Sequence, residues 1–167
     1  MPDKITFYRV NDEYGCLSNF APYPIMLKEK MWPTSEHYFQ AQKFAGTSHE
    51  EEIRLAPSPS IAAAMGRSRQ RPLRPDWEKV REQIMYEAVY AKFTQHEELR
   101  KMLLSTGDAL LIEHTVNDRY WADGGDGTGQ NRLGHILMEV RRELSPPPVN
   151  ETPTIPLITR FKTWFKK

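Results

Sequence analysis

Glu36, Gln40 and Lys43 stand at i, i+4 and i+7 within Trp32-Pro33-Thr34-Ser35-Glu36-His37-Tyr38-Phe39-Gln40-Ala41-Gln42-Lys43-Phe44. A helix over this stretch therefore sets three polar groups on one face. A glutamate near the start of such a helix can orient a sugar hydroxyl or stabilise a developing cation. A lysine two turns on can hold a phosphate, or attack the aldehyde of an opened sugar. The same spacing also describes a glutamate placed for the helix dipole and a solvated lysine, so spacing alone leaves both readings open.

A second group of such residues lies between Glu113 and Gly134. Gly124, Gly125, Gly127 and Gly129 let the backbone approach a ligand closely, and the loop runs into a helix start, which favours anions. Trp121 offers a stacking face for a flat base. Asp123 can act as general acid or base, or stabilise an oxocarbenium-like transition state, and Arg132 can pair with phosphate. A long turn with Trp121 simply buried is the plainer alternative. The length of the loop and its aromatic, acidic and glycine content favour a functional role.

Two smaller groups add to these. Arg67, Arg69, Arg71 and Arg74 follow Gly66 closely and can accept phosphate groups, or form a solvated basic loop. Asn19, in Tyr14-Gly15-Cys16-Leu17-Ser18-Asn19-Phe20, can both donate and accept, which suits a base or ribose; alone it is more often a turn former. The histidines contain no His-x-x-x-His pair, and the aspartates of the glycine loop lack calcium-loop spacing and its final glutamate. The loop matches neither a P-loop nor a dinucleotide fingerprint. No metal and no cofactor are expected.

The elements that must position these residues read as a mainly helical α+β domain with a small sheet. Ile5 and Phe7 alternate with polar neighbours, and Pro24–Leu27 reads as a strand before a turn; together they are expected to form that sheet. Thr34 is the expected N-cap of a helix running to about Phe44. Ser48 with Glu51, and Thr94 with Glu97, have capping-box spacing. Ser58-Pro59 opens a short alanine-rich helix that Gly66 can close, and Asp76 caps the longest helix. A further helix stops at Gly107, Ala109–Ile112 reads as a short buried strand, and a last helix carries Leu133, Ile136, Leu137 and Val140.

Composition places the chain among ordinary soluble domains: 39% of the 167 residues are hydrophobic and 27% charged, too apolar for disorder. No apolar run approaches the roughly 20 residues of a membrane span, and Met1-Pro2-Asp3-Lys4 does not resemble a signal peptide. Cys16 is the only cysteine, which excludes an internal disulfide and fits a cytoplasmic location. The net charge of +1 gives no general pull towards nucleic acid or membranes. Residues 1–144 read as one domain. From Ser145-Pro146-Pro147-Pro148 onwards a proline-rich linker leads to Leu157–Lys167, a short basic amphipathic tail. That tail is expected to dock on a partner, on the body of the protein or on an anionic membrane.

Three motifs together resemble one family, the YbiA-like or NADAR N-glycosidases. They are Tyr14-Gly15-x-x-Ser18-Asn19-Phe20, the stretch Trp32–Phe44, and Asn117-Asp118-x-x-Trp121-x-Asp123-Gly124-Gly125, continued by Asn131-Arg132-Leu133-Gly134. The resemblance covers about residues 4–144. It implies a mostly helical fold and hydrolysis of a ribose N-glycosidic bond. The substrates it implies are phosphoribosylamino-pyrimidine intermediates of riboflavin biosynthesis or, in other members, ADP-ribose attached to guanine in nucleic acid. It also singles out Glu36, Lys43 and Asp123 for catalysis, and Asn19, Trp121, Gly124, Gly125 and Arg132 for the substrate. Within that scheme Asp123 or Glu36 assists bond breaking, Lys43 or Arg132 neutralises phosphate, and Lys43 can instead trap the opened sugar as a Schiff base. The competing reading is a nucleotide or ADP-ribose reader that uses the same pocket without catalysis.

Overall fold

The computed structural model describes residues 2–148, which form six α-helices and two two-stranded sheets. The mainly helical α+β expectation holds, but the strands pair differently. β1 (Lys4–Phe7) lies parallel to β4 (Leu110–Glu113), with Ile5 opposite Leu111. β2 (Ile25–Leu27) turns back antiparallel onto β3 (Lys30–Trp32) through Lys28 and Glu29, whose φ values of 52° and 61° make a tight turn. Ile5, Phe7 and Leu111 are all buried, so β1 completes the layer that β4 begins rather than joining β2.

α1 (Ser35–Gln42) starts at Thr34, whose hydroxyl accepts from the His37 backbone N–H at 3.2 Å. Every residue of α1 is buried, polar ones included, because β3, α2 (Ser48–Arg54), α3 (Pro59–Arg67) and α4 (Trp77–Gln95) pack around it. Ser58 caps α3 from its side chain and Pro59 fills the first position, as expected. Gly66 instead lies inside α3. Thr47, not Ser48, occupies the N-cap of α2.

Thr94 is not a cap either: it sits in the last turn of α4 and its hydroxyl donates to the Tyr90 carbonyl at 2.7 Å. His96 precedes α5 (Glu97–Ser105). Asp76 holds the N-cap position of α4, but its carboxylate is drawn to Arg74 rather than to the helix. α6 (Arg132–Leu144) buries Leu133, Ile136, Leu137, Val140 and Leu144 against β4, α4 and α5. Among the described residues, no helix is long and apolar enough to cross a membrane. The tail Leu157–Lys167 and its expected docking lie outside the described residues.

Candidate active site

A helix buried along its whole length must satisfy its polar side chains or aim them at a cavity. In α1 both happen. Glu36 is 8% exposed and accepts a hydrogen bond from Gln40 Nε2 at 2.7 Å. Burial raises its pKa, while the Gln40 hydrogen bond and the charge of Lys43 oppose the rise.

Lys43 follows at the C-terminal cap of α1. Its ammonium lies 5.7 Å from the ring centres of Phe39 and Trp77, and 3.4 Å from the Gly66 carbonyl. Burial between these rings lowers its pKa to about 8; Glu36 works against that shift, and Arg67 and Arg69 add to it. α3 can come this close to α1 only because position 66 has no side chain. A Cβ there would stand 1.9 Å from Gln40 Oε1 and 2.9 Å from Gln40 Cβ.

Asn19 reaches α1 from the loop that follows the one-turn 3-10 helix Gly15–Leu17. Its backbone carbonyl accepts from the Glu36 N–H at 3.1 Å, and its Oδ1 accepts from the Ser35 hydroxyl at 2.9 Å. The loop is pinned from the far side by Lys92, a fully buried residue of α4 that donates to the Ser18 carbonyl at 2.8 Å. Asn19 therefore arrives at the helix start with its orientation fixed by two elements.

The other wall comes from the end of β4 and the loop beyond it. Glu113 closes the strand, and its backbone is clasped by Asn131 Oδ1 at 3.1 Å and by the Asp123 N–H at 2.9 Å. Burial, then the charges of Glu36, Asp118 and Asp123, push its carboxyl up to about 8. Asp118 Oδ1 accepts from the Tyr120 and Trp121 backbone N–H groups at 2.8 and 2.7 Å, which sets the turn that presents Trp121. The indole packs edge-on against Phe39 at 5.3 Å and Tyr120 at 4.9 Å.

These walls enclose a cavity of about 340 Å³. Asn19, Glu36, Lys43 and Trp121 line it together. Asp123, Gly124, Gly125 and Arg132 do not. The Asp123 carboxylate is spent on the loop: Oδ2 lies 2.7 Å from His114 Nδ1, and Oδ1 accepts from the Gly125 and Thr115 N–H groups at 2.8 and 3.2 Å. Burial alone would raise its pKa, but these hydrogen bonds hold it below the usual value. Gly124 and Gly125 take φ of 75° and 80°, conformations that let the loop turn around that carboxylate. Arg132 is paired with Glu82 through two hydrogen bonds of 2.7 and 2.9 Å.

Glu113, Arg67, Arg81 and Asp118 line the cavity as well, and reading the sequence for chemistry did not single them out as site residues, apart from Arg67 as one of four clustered arginines. One signal for Glu113 was present: an acidic residue ends the apolar run Ala109-Leu110-Leu111-Ile112. Arg81 carries no such mark within α4. Tyr8 and Phe20 are exposed and also line the cavity, so they form its rim.

Two carboxyl groups in one partly dry cavity cannot both ionise easily. Burial raises the Glu36 pKa too, although the Gln40 hydrogen bond and the nearby charges of Lys43 and Arg67 oppose the rise. Glu113 is surrounded by carboxylates and keeps its proton at neutral pH. The arrangement supplies two carboxyl groups of raised pKa and one amine of depressed basicity beside an aromatic wall.

A family model described as the NADAR domain matches residues 6–145. The N-glycosidase YbiA of Escherichia coli is 58% identical over 141 residues, covering 84% of this chain and 88% of the relative. The riboflavin biosynthesis protein VVA0006 of Vibrio vulnificus is 43% identical over 144 residues, which is 86% of this chain but 39% of that longer protein. The NMR structure of E. coli YbiA superposes with a TM-score of 0.80 at 58% identity and covers 86% of each chain. N-glycosidases are hydrolases of N-glycosyl compounds, and the chain belongs to the NADAR domain family.

Proposed function

We propose that this chain is a cytoplasmic N-glycosidase whose substrates are the phosphoribosylamino-pyrimidine intermediates of riboflavin biosynthesis, cleaved to a free amine and ribose 5-phosphate. The observation that carries the reading is the meeting of Glu36, Lys43 and Glu113 in one cavity walled by Trp121. The names of the E. coli and V. vulnificus relatives support the bond and the substrate class. A cavity of about 340 Å³ is at the small end for ligand sites and suits one sugar phosphate with a single-ring base. Guanine-linked ADP-ribose would have to extend beyond it.

The chemistry follows from a ribose joined to an amino nitrogen. Glu113 gives its proton to the ring oxygen; the C1–O bond breaks, and the amino nitrogen forms an iminium with C1. The neutral Lys43 amine adds to C1, a proton passes from the lysine nitrogen to the departing nitrogen, and the base leaves as the free amine. A lysine iminium remains. Water adds to its C1, the C1–Nζ bond breaks, the sugar phosphate leaves as an aldehyde, and the spare proton returns to Glu113. The Glu36 carboxylate offsets the positive charge of each iminium, and Trp121 stacks on the base.

Mass-spectrometric product detection with the two candidate substrates tests the assignment. Release of free pyrimidine amine and ribose 5-phosphate is expected, at a higher kcat/KM than release of guanine from its ADP-ribose adduct. A preference for the guanine adduct would transfer the assignment to removal of ADP-ribose from nucleic acid. Binding of both without turnover would make the protein a reader.

A further inference from the structure

The four arginines clustered after Gly66 are sorted by the fold. Arg71 is paired with Glu52 at 3.2 Å, and Arg74 with both oxygens of Asp76 at 2.6 and 2.9 Å. Arg69 does not line the cavity. Arg67 ends α3, lines the cavity, and its guanidinium has no hydrogen-bond or ion-pair partner among the described residues.

A second guanidinium enters the same cavity from α4. The Arg81 guanidinium carbon lies over the Tyr120 ring, 3.8 Å from its centre, and Tyr120 is itself held by a 2.7 Å hydrogen bond to Glu82. Its one ion pair, at 3.1 Å, is with Glu78, a side chain 71% exposed and therefore weakly held. Arg81 Nε is buried with no partner among the described residues. A buried guanidinium nitrogen left unpaired in a cavity wall is the kind of donor that an anionic ligand completes.

We propose that Arg67 and Arg81 form the binding site for the phosphate monoester of a ribosyl substrate, a proposal that rests on the N-glycosidase reading and extends it. The alternatives on the chain are otherwise engaged. Arg132 is consumed by Glu82, and Lys43 serves as an amine at the anomeric carbon, where a bound phosphate would hold it charged. Two planar guanidinium groups match the oxygens of a phosphate better than a single ammonium does. Glu36, Glu113 and Asp118 also line the cavity, so a bound anion needs cations beside it. Arg67, whose charge already acts on Glu36, and Arg81 supply them.

Calorimetric titration of the wild-type protein with ribose 5-phosphate and with ribose tests the site without requiring turnover. Ribose 5-phosphate should bind about tenfold or more tightly than ribose, the effect of charge-assisted hydrogen bonds. Arg67→Gln and Arg81→Gln should each remove most of that difference. Arg71→Gln, which makes the same charge change at an arginine paired elsewhere, should preserve it. Arg67 is exposed, so its variant keeps the proposal testable even if Arg81→Gln disturbs the Tyr120 stack, and melting curves check the fold of each variant.

Equal affinity for ribose and ribose 5-phosphate in the wild type, or full phosphate preference in Arg67→Gln, would overturn the site. Arginine-dependent binding of ADP-ribose but not of ribose 5-phosphate would overturn the monoester assignment. Arginine-dependent binding of ribose 5-phosphate by a protein that hydrolyses neither glycoside would uphold the site and defeat the N-glycosidase reading alone.

Discussion

Glu113 shares one cavity with Glu36, and after burial itself the charge of Glu36 is the largest influence that keeps Glu113 protonated up to about pH 8. Lys43, in the same cavity, loses its proton at about 8 as well. The proposed reaction needs Glu113 protonated and Lys43 neutral, so the two requirements overlap only around that pH. The expected kcat/KM profile is a bell with its maximum near pH 8, falling on the acid side as Lys43 gains a proton and on the alkaline side as Glu113 loses one. Glu113→Gln should lower kcat by about 10²–10⁴ and abolish the alkaline limb. An unchanged alkaline limb in this variant would remove Glu113 from the acid role.

The same group also carries a stability cost. A carboxyl raised from 4.5 to about 8 binds a proton in the folded state that the unfolded chain has already released between those values. Its contribution to folding therefore becomes less favourable as pH rises through that window and is constant above it. Glu113→Gln does not titrate, so its melting temperature should gain on the wild type between pH 5 and pH 8. Thermal melts across that range check the direction.

Asp123 should behave in the opposite sense. Its hydrogen bonds with His114, Thr115 and Gly125 favour the ionised form, so they stabilise the fold above the ordinary carboxylate range and are lost as pH falls through it. Asp123→Ala should cost about 1–3 kcal/mol at pH 7 by leaving the half-buried Thr115 and Gly125 N–H donors without their acceptor. The deficit should shrink below about pH 4, where the wild-type carboxylate is itself protonated. A variant with wild-type stability and no turnover would instead restore Asp123 to the chemistry.

Gly66 links stability to the site. A methyl group there would meet Gln40, whose amide donates to Glu36. Gly66→Ala should lower stability by about 1–3 kcal/mol through overpacking. It should also lower kcat, because Gln40 must move off Glu36. Melting and steady-state rates of one preparation measure both effects.

Much of this layout is legible along the chain wherever a local rule decides. Thr34 and Ser58 are caps because side chain and backbone geometry agree within four residues. Ser48 and Thr94 satisfy the same spacing rule, but an N-cap also needs extended backbone. Thr47 has it, at φ −111° and ψ 167°, and Thr94 remains helical. Pairing of β1 with β4 joins strands far apart in the chain, and no turn signal can announce it.

The site divides on the same line. Glu36, Gln40 and Lys43 share a face because one helix puts them there, and that is readable from spacing. Asp123 and Arg132 look equally poised until His114 and Glu82 are seen beside them. Glu113, Arg67 and Arg81 come from three separate elements, so only the folded arrangement of β4, α3 and α4 reveals that they line one cavity.

Borohydride reduction during turnover, followed by peptide mass mapping, tests whether Lys43 carries the opened sugar. A ribose 5-phosphate adduct on Lys43 is expected, formed only with substrate and absent from Lys43→Met. Sustained turnover with no adduct on Lys43, or an adduct on another lysine, would contradict it.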